Sequence, residues 1–157
     1  KLSGRVAAVA NAQEEVGLFG ARTSAFELRP DLAVAVDVTH ATDAPGINEN
    51  EVGSHALGSG PVIGRGTTLS PKVFELLAET AERIGIDHSF AGSGNRTGTD
   101  ADAIQISRSG VPTGLVSIPL RYMHSPVEMV DLRDVEGAIE LLVAVAESVD
   151  STLDLTR

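Results

Sequence analysis

Cysteine is absent from the 157 residues. Disulfides and thiolate zinc cages are therefore excluded, and any bound metal must take carboxylate, imidazole or water ligands. Basic residues are scarce, with 12 Lys and Arg against 22 Asp and Glu, a formal net charge of -10. That balance argues against a nucleic-acid backbone as partner, which needs clustered Lys and Arg. Long apolar runs are missing too: Leu141-Leu-Val-Ala-Val-Ala146 falls far short of the roughly 20 residues of a membrane span. These absences lead to the expectation of a soluble, cytoplasmic protein with neither a nucleic-acid nor a membrane partner.

What is present is enough for one domain with a packed core, since 42% of the residues are hydrophobic. Repeats and low-complexity tracts are not found. Lys1 is not an initiator Met and no signal peptide follows it, so the chain is expected to be a fragment.

The apolar run Val6-Ala-Ala-Val-Ala10 predicts a strand, Leu18 to Phe26 a helix, and the acidic loop between them carries Glu14 and Glu15. Leu32 to Val38, apolar on both faces, predicts a central strand with Asp37 near its end. The stretch from Thr39 to Gly60, rich in Asp, Asn, Pro and Gly, reads as a site-lining loop, and Pro61 to Gly64 as a short strand. Ser70 as N-cap and Pro71 at the first helical position open a helix with apolar residues at Val73, Phe74, Leu77, Ala78, Ala81 and Ile84, closed by Gly85. A Gly-rich loop over 91–100 leads to a short helix around Ala101 to Ser107, and Thr113 to Ile118 reads as a strand running on towards His124. Asp131 caps the last helix, whose expected buried stripe is Ala138, Ile139, Leu142, Ala146 and Val149. Alternating strands and helices predict a layered α/β fold.

Three strand ends thus carry Glu14 and Glu15, Asp37, and His124. Ligands collect at the carboxyl ends of strands in open α/β sheets. Carboxylates with imidazole and no thiolate suit Zn, Co or Mn, and a nearby free Glu is the usual proton acceptor for an activated water. The competing readings are a solvated Glu pair and a packed or surface His124. Asp37 is harder to dismiss, because an acid on an apolar strand needs a partner or a metal. His40, His55 and His88 lie in loops without ligand spacing and are expected to face solvent. The glycines at 92, 94 and 98 do not fit G-x-G-x-x-G, with no strand evident before them, and Ser24, Ser93 and Ser117 have no G-x-S-x-G elbow. A two-carboxylate glycosidase built on Glu14 and Asp37 remains an alternative.

Four motifs, in order along nearly the whole chain, carry a resemblance: Gln13-Glu-Glu-Val-Gly-Leu18 with Gly20-Ala21, Ala35-Val-Asp-Val-Thr39, Gly98-Thr-Asp-Ala101, and Arg121-Tyr-Met-His-Ser-Pro126 with Glu128-Met-Val-Asp131. Together they resemble the glutamyl or tetrahedral aminopeptidases, cytosolic two-metal exopeptidases of which some are labelled endoglucanases. The resemblance implies a mixed sheet flanked by helices, part of a zinc-peptidase (phosphorylase/hydrolase-like) catalytic domain. It implies Glu14 as general base, Glu15 and His124 as ligands of one divalent ion (Zn or Co, with Mn as a third option), Asp37 as ligand of a second, and Gly98, Thr99 and Asp100 lining a peptide-substrate pocket.

Members of that family are longer. Their earlier half supplies a histidine ligand, a bridging aspartate and a small β domain implicated in homo-oligomer assembly, none of which is found here. Residues 1–157 are therefore expected to be the carboxyl-terminal part of the catalytic domain, without the oligomerisation domain. Any ion held by this chain alone is expected between Glu15 and His124 at partial occupancy. The alternative of another class is a catalytically incomplete fragment acting as a structural or interaction module.

Overall fold

The computed structural model describes residues 2–155. Its helices are α1 (Phe19–Leu28), α2 (Glu49–Val52), α3 (Pro71–Ile84), α4 (Ala101–Ile104) and α5 (Leu132–Ser148). Its strands are β1 (Ala33–His40), β2 (Val62–Gly66), β3 (Ser89–Ser93), β4 (Thr113–Arg121) and β5 (Met129–Val130). The strands form one mixed sheet in the order β1-β4-β2-β3, with β5 also pairing β4. Pairs β1–β4 and β2–β3 are parallel, whereas β4 runs antiparallel to β2 and β5.

Side chains alternate across a strand, so neighbouring β4 residues feed opposite cores. Leu115 joins Ala35 of β1, Ala21 and Ala25 of α1, and Ala101, Ala103 and Ile104 on one face. Val116 joins Ile63 of β2, Val73, Leu77 and Ala81 of α3, and Ala138, Leu141 and Val145 of α5 on the other. The sheet is thus sandwiched between helices, the layered α/β arrangement expected from the alternating pattern. Ile63, Leu77 and Leu141 are fully buried, each contributing about 1.5–3 kcal/mol by leaving water. Helix α3 sits close on β4 because Gly114 has no side chain: a Cβ there would lie 2.6 Å from Val73 Cγ1.

Several expectations need correction. Residues 6–10 form no strand, and Val6 and Val9 are exposed, because nothing among the described residues pairs with that segment; a short apolar run needs a ladder partner to hold it extended against its conformational entropy. Among the described residues the strand expected to be central, β1, is paired on one side only, by β4, with Val36 half exposed. A strand does precede the Gly-rich loop: β3, whose pairing with β2 overrides its small residues. In α5, Ile139 is 56% exposed and the buried stripe is Asp134, Ala138, Leu141 and Val145. Of the expected stripe, Ala138 is buried and Leu142 and Val149 pack half-buried against the same core, whereas Ile139 points away and Leu141 and Val145 take the most buried positions. His55 is also buried rather than solvent-facing. It bridges Ser89 Oγ through Nδ1 and Val52 O through Nε2, each at 2.8 Å. Since Val52 O only accepts, Nε2 carries a proton, and Nδ1 faces the Ser89 hydroxyl, which can donate or accept.

Candidate active site

The acidic turn is built by backbone bonds from Gly17 N and Leu18 N to Glu14 O, at 3.2 and 3.0 Å. Gly20 N closes it with a 3.0 Å bond to Ala12 O. Only glycine fits at position 20, where a Cβ would lie 2.4 Å from that same oxygen. Gln13 and Leu18, on either side of the two glutamates, sit at φ 62° and 58°. Side chains rarely adopt such left-handed backbone, and it gathers at functional sites. Tyr122 and His124 repeat the feature at φ 60° and 61°.

His124 sits in the connection between β4 and β5. Leu120 pairs with Val130 and Arg121 with Met129, which closes the hairpin. Its backbone N–H donates to Glu128 Oε1 at 2.6 Å. Arg121 anchors the base of the turn to Asp43 in an ion pair, and the Arg121 hydrogen bond holds the Asp43 carboxyl below its ordinary value. At the tip, His124 Nε2 meets Glu15 Oε1 at 3.1 Å, with both side chains largely exposed.

Asp37 lies two residues beyond Ala35 on β1 and so faces the same core as α1 and α4. It accepts the Val38 N–H at 2.7 Å. Burial, and then the charges of Asp100 and Glu15, raise its pKa above the ordinary carboxylate value against that bond. Glu14 is raised too, by burial and then by Asp37, Glu15 and Asp100, with His124 opposing. Four carboxylates and one imidazole therefore share one electrostatic neighbourhood.

The fourth carboxylate, Asp100, is positioned by a relay of residues the sequence did not single out. Its Oδ2 accepts from Asn11 Nδ2 at 2.8 Å, and Asn11 Oδ1 in turn accepts from Ser24 Oγ at 2.8 Å. Its other oxygen, Oδ1, is buried without a partner. The two residues before it turn elsewhere. Gly98 N donates to Asp102 Oδ2 at 2.9 Å, and the buried Thr99 hydroxyl accepts from Ala101 N at 3.3 Å. Of the turn's three candidate pocket residues, only Asp100 joins the acidic group.

In donor chemistry these residues fit a divalent cation. An imidazole nitrogen stands beside a carboxylate, a carboxylate oxygen of Asp100 is buried without a partner, and Glu14 and Asp37 are raised by burial and then by neighbouring negative charge, the second of which a cation relieves. The set is partial, since among the described residues no three His, Asp or Glu side chains stand together as a complete metal cage.

Comparison with known proteins identifies the family. The M42 glutamyl aminopeptidase family matches residues 1–141. A lysyl aminopeptidase of Pyrococcus furiosus is 42% identical over 139 residues, covering 88% of this chain and 39% of its own length. Among solved structures, an aminopeptidase from the archaeon Desulfurococcus kamchatkensis superposes with a TM-score of 0.80 at 44% identity, over 89% of this chain and 40% of that one. The TET1 peptidase of Pyrococcus horikoshii, described as assembling into a tetrahedron or a large octahedral shell, gives 0.69 at 31% identity, over 88% of this chain and 40% of that one. This chain spans about two fifths of the length of the relatives it matches. On the family match and the 42% identity, the chain belongs to the M42 glutamyl aminopeptidase family.

Proposed function

We propose that this chain supplies the carboxyl-terminal part of the catalytic site of a metal-dependent aminopeptidase that releases amino-terminal residues from peptides. One observation carries the reading: Glu15 and His124, 109 residues apart in sequence, lie in contact beside Glu14, Asp37 and Asp100. Glu15 and His124 would hold one divalent ion and Asp37 a second, of Zn, Co or Mn type, with the remaining ligands supplied from outside residues 1–157. When bound, such ions polarise a scissile carbonyl and make water acidic enough to deprotonate near neutral pH.

The chain's own residues then divide the work. Glu14, half-buried and with its pKa raised, is suited to take a proton from water and pass it to the leaving amine, because a base is most effective when its pKa approaches the working pH. Asp100, with one oxygen fixed by Asn11 and one unpaired, suits the ammonium group of a peptide's amino terminus. Gly98 and Thr99 shape the turn that presents it. The complete protein would assemble as a homo-oligomer, a reading supported by the shell-forming TET1 relative, and would work in the cytoplasm.

Release of p-nitroaniline from amino-acid p-nitroanilides, measured on the protein at the full length of its relatives with added Zn or Co, tests the proposal. Release that a chelator stops is the expected result. Metal-independent release, or none with any amino-acid anilide, contradicts it.

A second reading, a catalytically incomplete module, is favoured by the partial cage among the described residues. It predicts that residues 1–157 fold and bind a partner without turning over any anilide; activity of this chain by itself would eliminate it. The glycosidase alternative has the acid pair and the endoglucanase label of some structural relatives behind it, whereas the family match is to aminopeptidases.

A further inference from the structure

Away from the acidic group, a cleft of about 270 Å³ opens at the start of α3, lined by Arg65, Thr67, Leu69, Ser70, Phe74 and Ser93 among others. Ser70 occupies the N-cap position, where a serine hydroxyl ordinarily accepts a backbone N–H from the first turn. Here it makes no such bond. Ser70 is 1% exposed and its Oγ has no hydrogen-bond partner at all. A buried hydroxyl without a partner is costly, and one at the positive end of a 14-residue helix is a donor in search of an acceptor.

The same cleft holds a cation with no counter-charge. Arg65 is exposed and makes no ion pair among the described residues, although acids outnumber bases in the chain; the other arginine of this region, Arg96, is tied to Asp102 at 3.6 Å. The Arg65 guanidinium lies over the Phe74 ring, 5.5 Å from its centroid, a contact that leaves its charge unneutralised. The helix start, the orphaned hydroxyl and the unpaired guanidinium are three independent donors around one cavity.

We propose that this cleft is a binding site for a small oxyanion, a carboxylate or a phosphate group. The anion takes the place of the missing cap: it accepts from the first-turn N–H groups of α3 and from Ser70 Oγ, and pairs with Arg65, while Leu69 and Phe74 cover its apolar remainder. The site is separate from the metal-ligand candidates, and the proposal stands or falls independently of the aminopeptidase reading.

Amide NMR of the folded chain, titrated in parallel with inorganic phosphate and N-acetylglycine, tests it. Saturable shifts at Lys72 and Val73 are expected with at least one of the two; phosphate alone identifies a phosphoryl ligand and N-acetylglycine alone a carboxylate. Arg65→Gln, a surface change that leaves folding intact, should weaken binding about tenfold or more, and Ser70→Ala should do the same while leaving the ligand-free melting temperature equal to or above the parent's. Absence of saturation by about 10 mM of either ligand would overturn the proposal. So would shifts that persist undiminished in both variants, or a lowered melting temperature of ligand-free Ser70→Ala, which would mean the hydroxyl is already serving as a cap.

Discussion

His124 Nε2 and Glu15 Oε1 stand 3.1 Å apart across 109 residues of sequence, and both side chains remain largely open to solvent. An exposed pair of this kind contributes little to stability by itself. Its interest is chemical, because the two atoms that face each other here are a nitrogen and an oxygen of the types that ligate zinc. Adding Zn to residues 1–157 should replace that contact by metal ligation and shift the His124 ring resonances in NMR. Glu15→Ala should weaken the effect by at least about tenfold, on the scale seen when metal sites lose supporting groups. Unchanged His124 resonances at saturating Zn would remove this pair from the ligand set.

Asp134 is fully buried and its carboxylate accepts from Gly58 N at 2.8 Å and Gly60 N at 2.7 Å. Helix α5 thereby holds the long loop after β1. Asp134→Ala removes both bonds and strands two donors, so a loss of about 3 kcal/mol is expected. Urea unfolding should show a lower midpoint at unchanged slope; an unchanged midpoint would mean the loop is held by other contacts.

Two acids, the buried Asp102 and the half-buried Asp37, should respond to pH in opposite directions. For Asp102, burial alone would raise the pKa, but the Thr97 and Gly98 N–H groups and the Thr68 hydroxyl outweigh it and the net shift is downward. A lowered folded pKa means a stabilising contribution fully present above the ordinary carboxylate value and lost as pH falls through the folded value. Asp37 is raised instead, so its ionised form disfavours the fold at neutral pH and that penalty is relieved as pH falls through its folded value. Asp102→Asn should therefore lower the melting temperature at pH 7 and Asp37→Asn should raise it, with both differences shrinking towards pH 3. The same sign for both substitutions at pH 7 would refute this assignment.

Much of this was legible in the sequence where local chemistry decides the outcome. Pro71 and Gly85 bound α3, although the hydroxyl of Ser70 at the N-cap position makes no capping bond, and Asp131 caps α5 by accepting Arg133 N at 2.9 Å, because caps and prolines act over a few residues. The Glu-Glu turn, Asp37 and His124 stood out as acids and an imidazole after apolar runs, and the structure brings them into one neighbourhood. What could not be read locally was pairing. Residues 6–10 look like a strand but need a neighbour, β1 looks central but is paired on one side only among the described residues, and β3 looks like a loop but is recruited by β2. The same holds for polar partners distant in sequence: nothing near Asn11 announces Asp100, 89 residues away, and nothing near His55 announces Ser89.

The most direct test of the central claim is Glu14→Gln in the protein at the full length of its relatives, with metal content and anilide turnover measured on the same sample. Glu14 is assigned to the proton and Glu15 to the metal, and the substitution keeps size and hydrogen-bonding shape while removing the base. Loss of turnover by roughly 100-fold or more, the scale of general-base catalysis, with metal stoichiometry unchanged is the predicted result. Retained turnover, or metal lost along with activity, would contradict the assignment of Glu14 as the base.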